Sequence, residues 1–106
     1  MRIVKVETTV ESEDAANALA KLVLSDRVAA CIQCEPIVSH YRWDNRVVCD
    51  AEVRLTCKTT QEKHKMLVAF LQKKHTYDVP EIVSSLIEVS ETYGSWVRDE
   101  VAHDGS

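Results

Sequence analysis

The longest regular pattern in the sequence is an alternation of apolar and polar residues between positions 46 and 58. Every odd position is apolar, and every even position except one is charged or polar; the odd residues are Val47, Cys49, Ala51, Val53, Leu55 and Cys57. Period-two alternation predicts a half-buried β-strand. A strand of 13 residues is about 43 Å long, whereas a compact chain of this size has a radius of gyration of only about 13 Å. We therefore expect one end of the strand to project from the domain.

A second extended segment, residues 29–43, precedes this strand and predicts a β-hairpin. Its apolar residues change parity at Pro36, from Ala30, Ile32 and Cys34 to Ile37, Tyr41 and Trp43. Because proline cannot donate to a strand ladder, we expect a bulge or kink at Pro36. Asp44 and Asn45 tolerate turn dihedrals and predict the hairpin turn. Aromatic residues at the tip of a projecting hairpin would face water, which predicts self-association through Tyr41 and Trp43.

The other periodicities complete a mixed pattern of strands and helices. Residues 2–10 and 82–89 alternate as strands, Ser12 is a candidate N-cap for a first helix, residues 60–75 predict a second helix, and Thr92 opens a third. The order β-α-β-β-α-β plus a C-terminal helix predicts an α+β, ferredoxin-like sandwich with a four-stranded antiparallel sheet. We expect one domain over residues 1–106.

Composition excludes several classes of function. The two glycines, Gly94 and Gly105, cannot form a dinucleotide fingerprint or a P-loop. A net charge of −4 argues against nucleic acid, and no apolar segment approaches membrane-spanning length. The first residues lack a signal-peptide core, which predicts a cytoplasmic protein. The four cysteines are then expected to be reduced thiols.

Candidate chemistry centres on the loop after the second helix. His75 lies there beside Tyr77, Asp78 and Glu81, a set that could bind a divalent cation or a small anion. The alternative is a structural one, with His75 favoured by the helix dipole and Glu81 satisfying loop amides. No nucleophile or metalloprotease signature occurs. A small enzyme that uses His75 and Glu81 as acid and base is the least favoured interpretation, because no activated pair is visible.

The other histidines and cysteines suggest structural roles. His40, His64 and His103 stand alone in the sequence, and a lone histidine is seldom a ligand. Cys49 and Cys57 fall on the apolar face of the long strand and are expected in the core. Cys31 and Cys34 would point to opposite faces of one strand, about 10 Å apart, too far to chelate a metal together.

Several stretches together resemble the CutA family of divalent-cation tolerance proteins, over nearly the whole chain. The most specific is His75-Thr76-Tyr77-Asp78-Val79-Pro80-Glu81-Ile82; the others are Ala30-Cys31, Ser39-His40-Tyr41-Arg42-Trp43, Glu52, Lys58-Thr59, Tyr93 and Trp96. The resemblance implies a ferredoxin-like fold and a homotrimer similar to the PII signalling proteins. It also implies a cytoplasmic protein linked to tolerance of copper and other divalent cations, with no enzymatic reaction.

The resemblance implies particular site residues. Tyr41, Trp43 and Glu52 would lie in the trimer interface, and Lys58, Tyr77 and Glu81 would line a cleft between subunits. Of three copper ligands proposed in bacterial relatives, only His75 carries over, because Thr8 and Lys74 occupy the other two positions. Cu²⁺ or another divalent cation would therefore bind weakly. An alternative function is a PII-like sensor that binds a small anion or nucleotide in the intersubunit cleft.

Overall fold

A computed structural model describes residues 1–102, which form a four-stranded antiparallel sheet and three α-helices. The elements are β1 (Arg2–Val10), α1 (Glu13–Ser25), β2 (Cys31–Trp43), β3 (Arg46–Thr59), α2 (His64–Lys74), β4 (Ile82–Glu88) and α3 (Glu91–Ala102). The strands lie in the order β2-β3-β1-β4. This arrangement confirms the predicted ferredoxin-like α+β fold. His103 lies outside the described residues.

The helix boundaries follow local capping. Ser12 caps α1, and its hydroxyl accepts a hydrogen bond of 3.0 Å from the Ala15 amide. The second helix begins later than the pattern predicts, at His64 rather than Thr60. The Thr60 carbonyl and hydroxyl instead accept from the Lys63 amide in a preceding turn, and this local hydrogen bonding competes with helix formation.

The main core lies between the sheet and two of the helices. Val6, Leu55 and Cys57 point from β1 and β3 to the face covered by α1 and α2, which we call the helix face; Leu19, Val23, Leu67 and Leu71 pack there from the helices. The opposite face is the open face. At one end of it α3 approaches, and the Lys58 ammonium lies 5.7 Å from the centre of the Tyr93 ring.

The β2–β3 hairpin extends well beyond the rest of the sheet. The pairing of β1 with β3 ends at Val10 and Val53, so residues 37–52 pair only within the hairpin; we call this segment the arm. The chain measures 44 Å along its longest axis and 21 Å along its shortest, with a radius of gyration of 14.4 Å. The prediction of a projecting strand end is confirmed.

The turn at the tip of the arm is the predicted one. Asp44 and Asn45 have φ angles of 53° and 59°, the two positive values that a type I′ hairpin turn requires. Trp43 therefore pairs with Arg46, and the register continues without a break to Cys31 and Lys58.

The predicted bulge at Pro36 is wrong, because Pro36 pairs in register with Val53. The strand β2 is at the edge of the sheet, where a residue without an N–H is tolerated. The apolar residues of β2 change from the helix face to the open face because α1 and α2 do not extend over the arm. The prediction of Cys49 as a core residue is also wrong: Cys49 is exposed on the arm, whereas Cys57 is buried beneath the helices.

Candidate functional site

The loop after α2 is held against the sheet by the His75 side chain. Nε2 of His75 donates to the Thr9 carbonyl at 2.8 Å, and Nδ1 accepts from the Tyr77 amide at 3.0 Å. An imidazole that donates from one nitrogen and accepts at the other is neutral. Both ring nitrogens are thus engaged, and a metal ion at His75 would have to replace one of these hydrogen bonds.

Tyr77 then carries the loop around the end of β1 to the open face. Its ring lies 4.8 Å from the His75 ring between centroids, and its hydroxyl donates to Glu52 at 2.8 Å. Burial, followed by the hydrogen bond to Glu52, raises the pKa of Tyr77 above its usual value. This contact joins the loop to the base of the arm.

A second tyrosine–carboxylate pair lies further along the arm. The Tyr41 hydroxyl donates to Asp50 at 2.5 Å, and this hydrogen bond is the main cause of a raised Tyr41 pKa. Asp50 was not among the predicted site residues. The turn at residues 44–45 could have revealed it, because that turn pairs Tyr41 with Val48 and brings Asp50 within diagonal reach.

The arm and the loop after α2 line an open cleft with a volume of about 780 Å³. Its aromatic lining comes from Tyr41, Trp43 and Tyr77, and its carboxylates are Glu11, Asp50, Glu52, Asp78 and Glu81. Within residues 1–102, the lining of this cleft includes no lysine or arginine. The electrostatic character of the cleft therefore suits a cation and opposes an anion.

The structure brings together most of the predicted site residues. Tyr77 and Glu81 line the same cleft as Tyr41, Trp43 and Glu52. Lys58 lies apart, where its ammonium donates to Gln33 at 2.8 Å beside the Tyr93 ring.

The two positions that the resemblance assigns to further copper ligands in bacterial relatives differ in character. Thr8 is fully buried and its hydroxyl finds no hydrogen-bond partner among the described residues. The Lys74 ammonium lies 5.9 Å from the centre of the Phe70 ring. In the part of the chain described, no group of three or more histidine, cysteine or acidic side chains is arranged to hold a metal ion.

The fold and the cleft define a class of protein. It is a ferredoxin-like chain in which the β2–β3 hairpin extends as an arm, and the loop after α2 is hydrogen-bonded to that arm. A family model described as CutA1 divalent ion tolerance protein matches residues 4–100. The chain belongs to this family, and its predicted association with divalent-cation tolerance is confirmed at that level.

Relatives of known sequence and structure agree with this assignment. The divalent-cation tolerance protein CutA of Thermus thermophilus is 39% identical over 93 residues, which cover 86% of this chain and 90% of the relative. The solved structure of CutA from Synechococcus elongatus has a TM-score of 0.91 at 32% identity, covering 94% of this chain and 90% of that one. CutA1 of Ehrlichia chaffeensis shares the fold, with a TM-score of 0.91 at 24% identity over 95% of this chain and 96% of that one.

Proposed function

We propose that this chain acts as a non-enzymatic homotrimer in the response to copper and other divalent cations, and that the arm joins its subunits. The observation that carries the proposal is the exposed apolar surface of the arm. Val38, Trp43 and Val47 are 65%, 51% and 70% exposed in the single chain. Val38 and Val47 lie on one face of the projecting hairpin and Trp43 lies on the other. Apolar side chains exposed in this way favour burial against a partner. In a homotrimer that partner is a second copy of the chain.

The oligomeric state can be tested by sedimentation at micromolar concentration. We expect a species of three times the 12.0 kDa chain mass. Trp43→Ala should weaken assembly by about 2 kcal/mol, or roughly 30-fold, as expected for an aromatic anchor. Trp96→Ala is the matched control, because Trp96 is 44% exposed but lies on α3. A 12.0 kDa species in wild type, or equal assembly of both variants, would contradict the proposal.

Binding of Cu²⁺ or another divalent cation is proposed at the loop that carries His75. The acidic lining of the adjoining cleft supports a cation there. Titration of Cu²⁺ and Zn²⁺ into wild type and His75→Ala tests the assignment. Weaker binding by the variant is expected, whereas equal affinities would exclude His75. The matched variant Glu81→Gln reports whether a cleft carboxylate contributes.

A PII-like sensor function remains the second candidate, and the volume of the cleft is the observation that favours it. A cleft of about 780 Å³ falls within the range of small-molecule sites. The carboxylate lining favours a cationic ligand over the anion or nucleotide expected from the resemblance. A thermal-shift screen discriminates the two functions: stabilisation by a metabolite without metal supports the sensor, and stabilisation by metal alone opposes it.

We also propose a cytoplasmic location, which the absence of disulfides among Cys31, Cys34, Cys49 and Cys57 supports. No helix within residues 1–102 is long and apolar enough to span a membrane.

A further inference from the structure

A histidine of α2 and a serine of β4 form a hydrogen-bonded pair away from the cleft. The Nε2 atom of His64 and the Oγ atom of Ser84 are 2.8 Å apart, although the two residues are 20 positions apart in the sequence. Ser84 pairs with Val6, which lies on the helix face, so the Ser84 side chain points toward α2. His64 is the first residue of α2. The fold thus places a nucleophilic hydroxyl against an imidazole base, and we call this pair the dyad.

We propose that Ser84 is a modification site, at which His64 activates the serine hydroxyl toward activated esters and thioesters of short acids. Activation of this kind requires a nucleophile and a base within about 2.6–3.2 Å of each other. The observed 2.8 Å meets this requirement. In the neutral imidazole that carries its proton on Nδ1, Nε2 accepts the hydrogen bond from the hydroxyl and can take its proton.

The dyad is open to solvent and has a pocket beside it. Ser84 is exposed and His64 is half-buried, so the nucleophile faces an incoming reagent while packing restrains the base. The pocket has a volume of about 260 Å³, and Val4 and Leu86 give it apolar walls. Sites for drug-sized ligands are larger, about 300–1,000 Å³. This pocket therefore suits a short acyl group.

The start of α2 lies beside the pocket and favours the negative charge that develops during the attack. Gln61 and His64, on either side of the first turn into the helix, both line the pocket. The N-cap residue Lys63 makes no side-chain cap hydrogen bond, so the first-turn amides have no side-chain acceptor and retain their partial positive charge. Amides of this kind stabilise an oxyanion.

The transfer consists of one substitution at the carbonyl carbon. The Ser84 oxygen attacks this carbon and forms a new C–O bond, and the hydroxyl proton passes to Nε2 of His64. The bond from carbon to the leaving group then breaks, and the alcohol or thiol departs with the proton that His64 returns. Within residues 1–102, no carboxylate lines the pocket, so the dyad lacks the third group that orients the base in a triad. We therefore expect the acyl group to accumulate on Ser84 rather than to turn over.

The site is separate from the arm, the cleft and the proposed response to metals. The strand β4 lies at the opposite edge of the sheet from β2, and none of the residues that line this pocket lines the cleft. Acylation is measured at one serine, whereas assembly and metal affinity are separate measurements. Each proposal can therefore fail without the other.

The test is reaction of the full chain with p-nitrophenyl acetate, with the acetylation rate of each serine read by peptide mass spectrometry. Ser84 should react at least about 100-fold faster than Ser85, because a positioned general base contributes roughly 10²–10⁴-fold. Ser85 is the matched internal control, since it lines the same pocket but, among the described residues, the histidine is hydrogen-bonded to Ser84. His64→Gln should reduce the Ser84 rate to that of Ser85.

Unfolding of the wild-type chain in urea gives a second measurement that needs no variant. Ser84 and Ser85 should then react at equal rates, because the dyad exists only in the folded chain. In the folded chain, Ser84→Ala should remove the fast phase of nitrophenolate release. Equal rates for the two serines in the folded wild type would overturn the proposal. A fast Ser84 in His64→Gln or in urea would overturn it as well.

Discussion

The hydrogen bond from Tyr77 to Glu52 joins the loop after α2 to the arm. Its removal therefore tests whether this contact holds the two walls of the cleft together. Tyr77→Phe deletes only the hydroxyl and leaves the ring, which packs 4.8 Å from the His75 ring between centroids. The deleted bond measures 2.8 Å and ends on a carboxylate. The substitution therefore isolates one hydrogen bond to a charged group.

The expected loss follows from the burial of the pair. A hydrogen bond to a charged group contributes about 1.5–3 kcal/mol, and Tyr77 and Glu52 are only half-buried, so the lower end of this range applies. A loss of about 1.5 kcal/mol lowers the midpoint of thermal unfolding by about 6–12 °C for a chain of this size. Chemical denaturation of all variants at one fixed chain concentration keeps the concentration dependence that comes from association the same in each measurement.

A double-mutant cycle separates the hydrogen bond from other effects of the substitution. Glu52→Gln and the double variant complete the cycle, and we expect a coupling energy of about 1 kcal/mol between the two positions. A coupling near zero, or a loss below about 0.5 kcal/mol in Tyr77→Phe, would show that this contact does not hold the loop.

The same variant has a predicted pH dependence. The folded-state pKa of Tyr77 is raised above the value of 10.0 expected when the chain is unfolded. The stabilisation from the protonated hydroxyl is therefore complete below pH 10.0 and is lost as the pH rises through the folded-state pKa. Unfolding free energy should fall more steeply in wild type than in Tyr77→Phe between about pH 9 and pH 11. Parallel curves would refute the role of this tyrosine.

Three further predictions concern the core and the packing around Met1. Thr8→Val should raise the unfolding free energy by about 1 kcal/mol, because it removes a buried hydroxyl that has no partner among the described residues; a loss measured by denaturation would contradict this. Burial raises the pKa of the Cys57 thiol to about 12. Cys57→Ala should therefore leave the number of fast-reacting thiols at pH 8 unchanged in the folded chain. A reduced number would show that Cys57 is accessible. Gly94→Ala places a Cβ 2.9 Å from Cγ of Met1. The midpoint of thermal unfolding should fall, because an overpacking cost of about 1–3 kcal/mol exceeds a gain in helix propensity of about 1 kcal/mol. A higher midpoint would mean that Met1 moves aside freely.

Local patterns identified the elements of this fold because they arise from local physics. The alternation over residues 46–58 predicted β3, and Ser12 predicted the start of α1. Asp44 and Asn45 predicted the turn because their side chains tolerate positive φ. The start of α2 was misplaced because the side chain and backbone of Thr60 form a competing turn.

Which positions of a strand are buried could not be read from alternation alone. The odd residues of β3 form one continuous apolar series in sequence, yet Leu55 and Cys57 are buried while Val47 and Cys49 are exposed. The difference depends on where α1 and α2 end over the sheet, which is a property of the packing. The same cause explains the parity change in β2 that suggested a bulge at Pro36.

The sequence by itself determined the class of fold, the projection of the hairpin and the loop that carries the most specific family motif. Each of these depends on periodicity, strand length or a contiguous motif. Only the tertiary structure decided which side chains meet: His75 with Thr9, Tyr77 with Glu52, and His40 with Cys49. These pairs are far apart in sequence or joined only through the hairpin register, so their contacts exist only once the strands are aligned and the loop has closed over the end of the sheet.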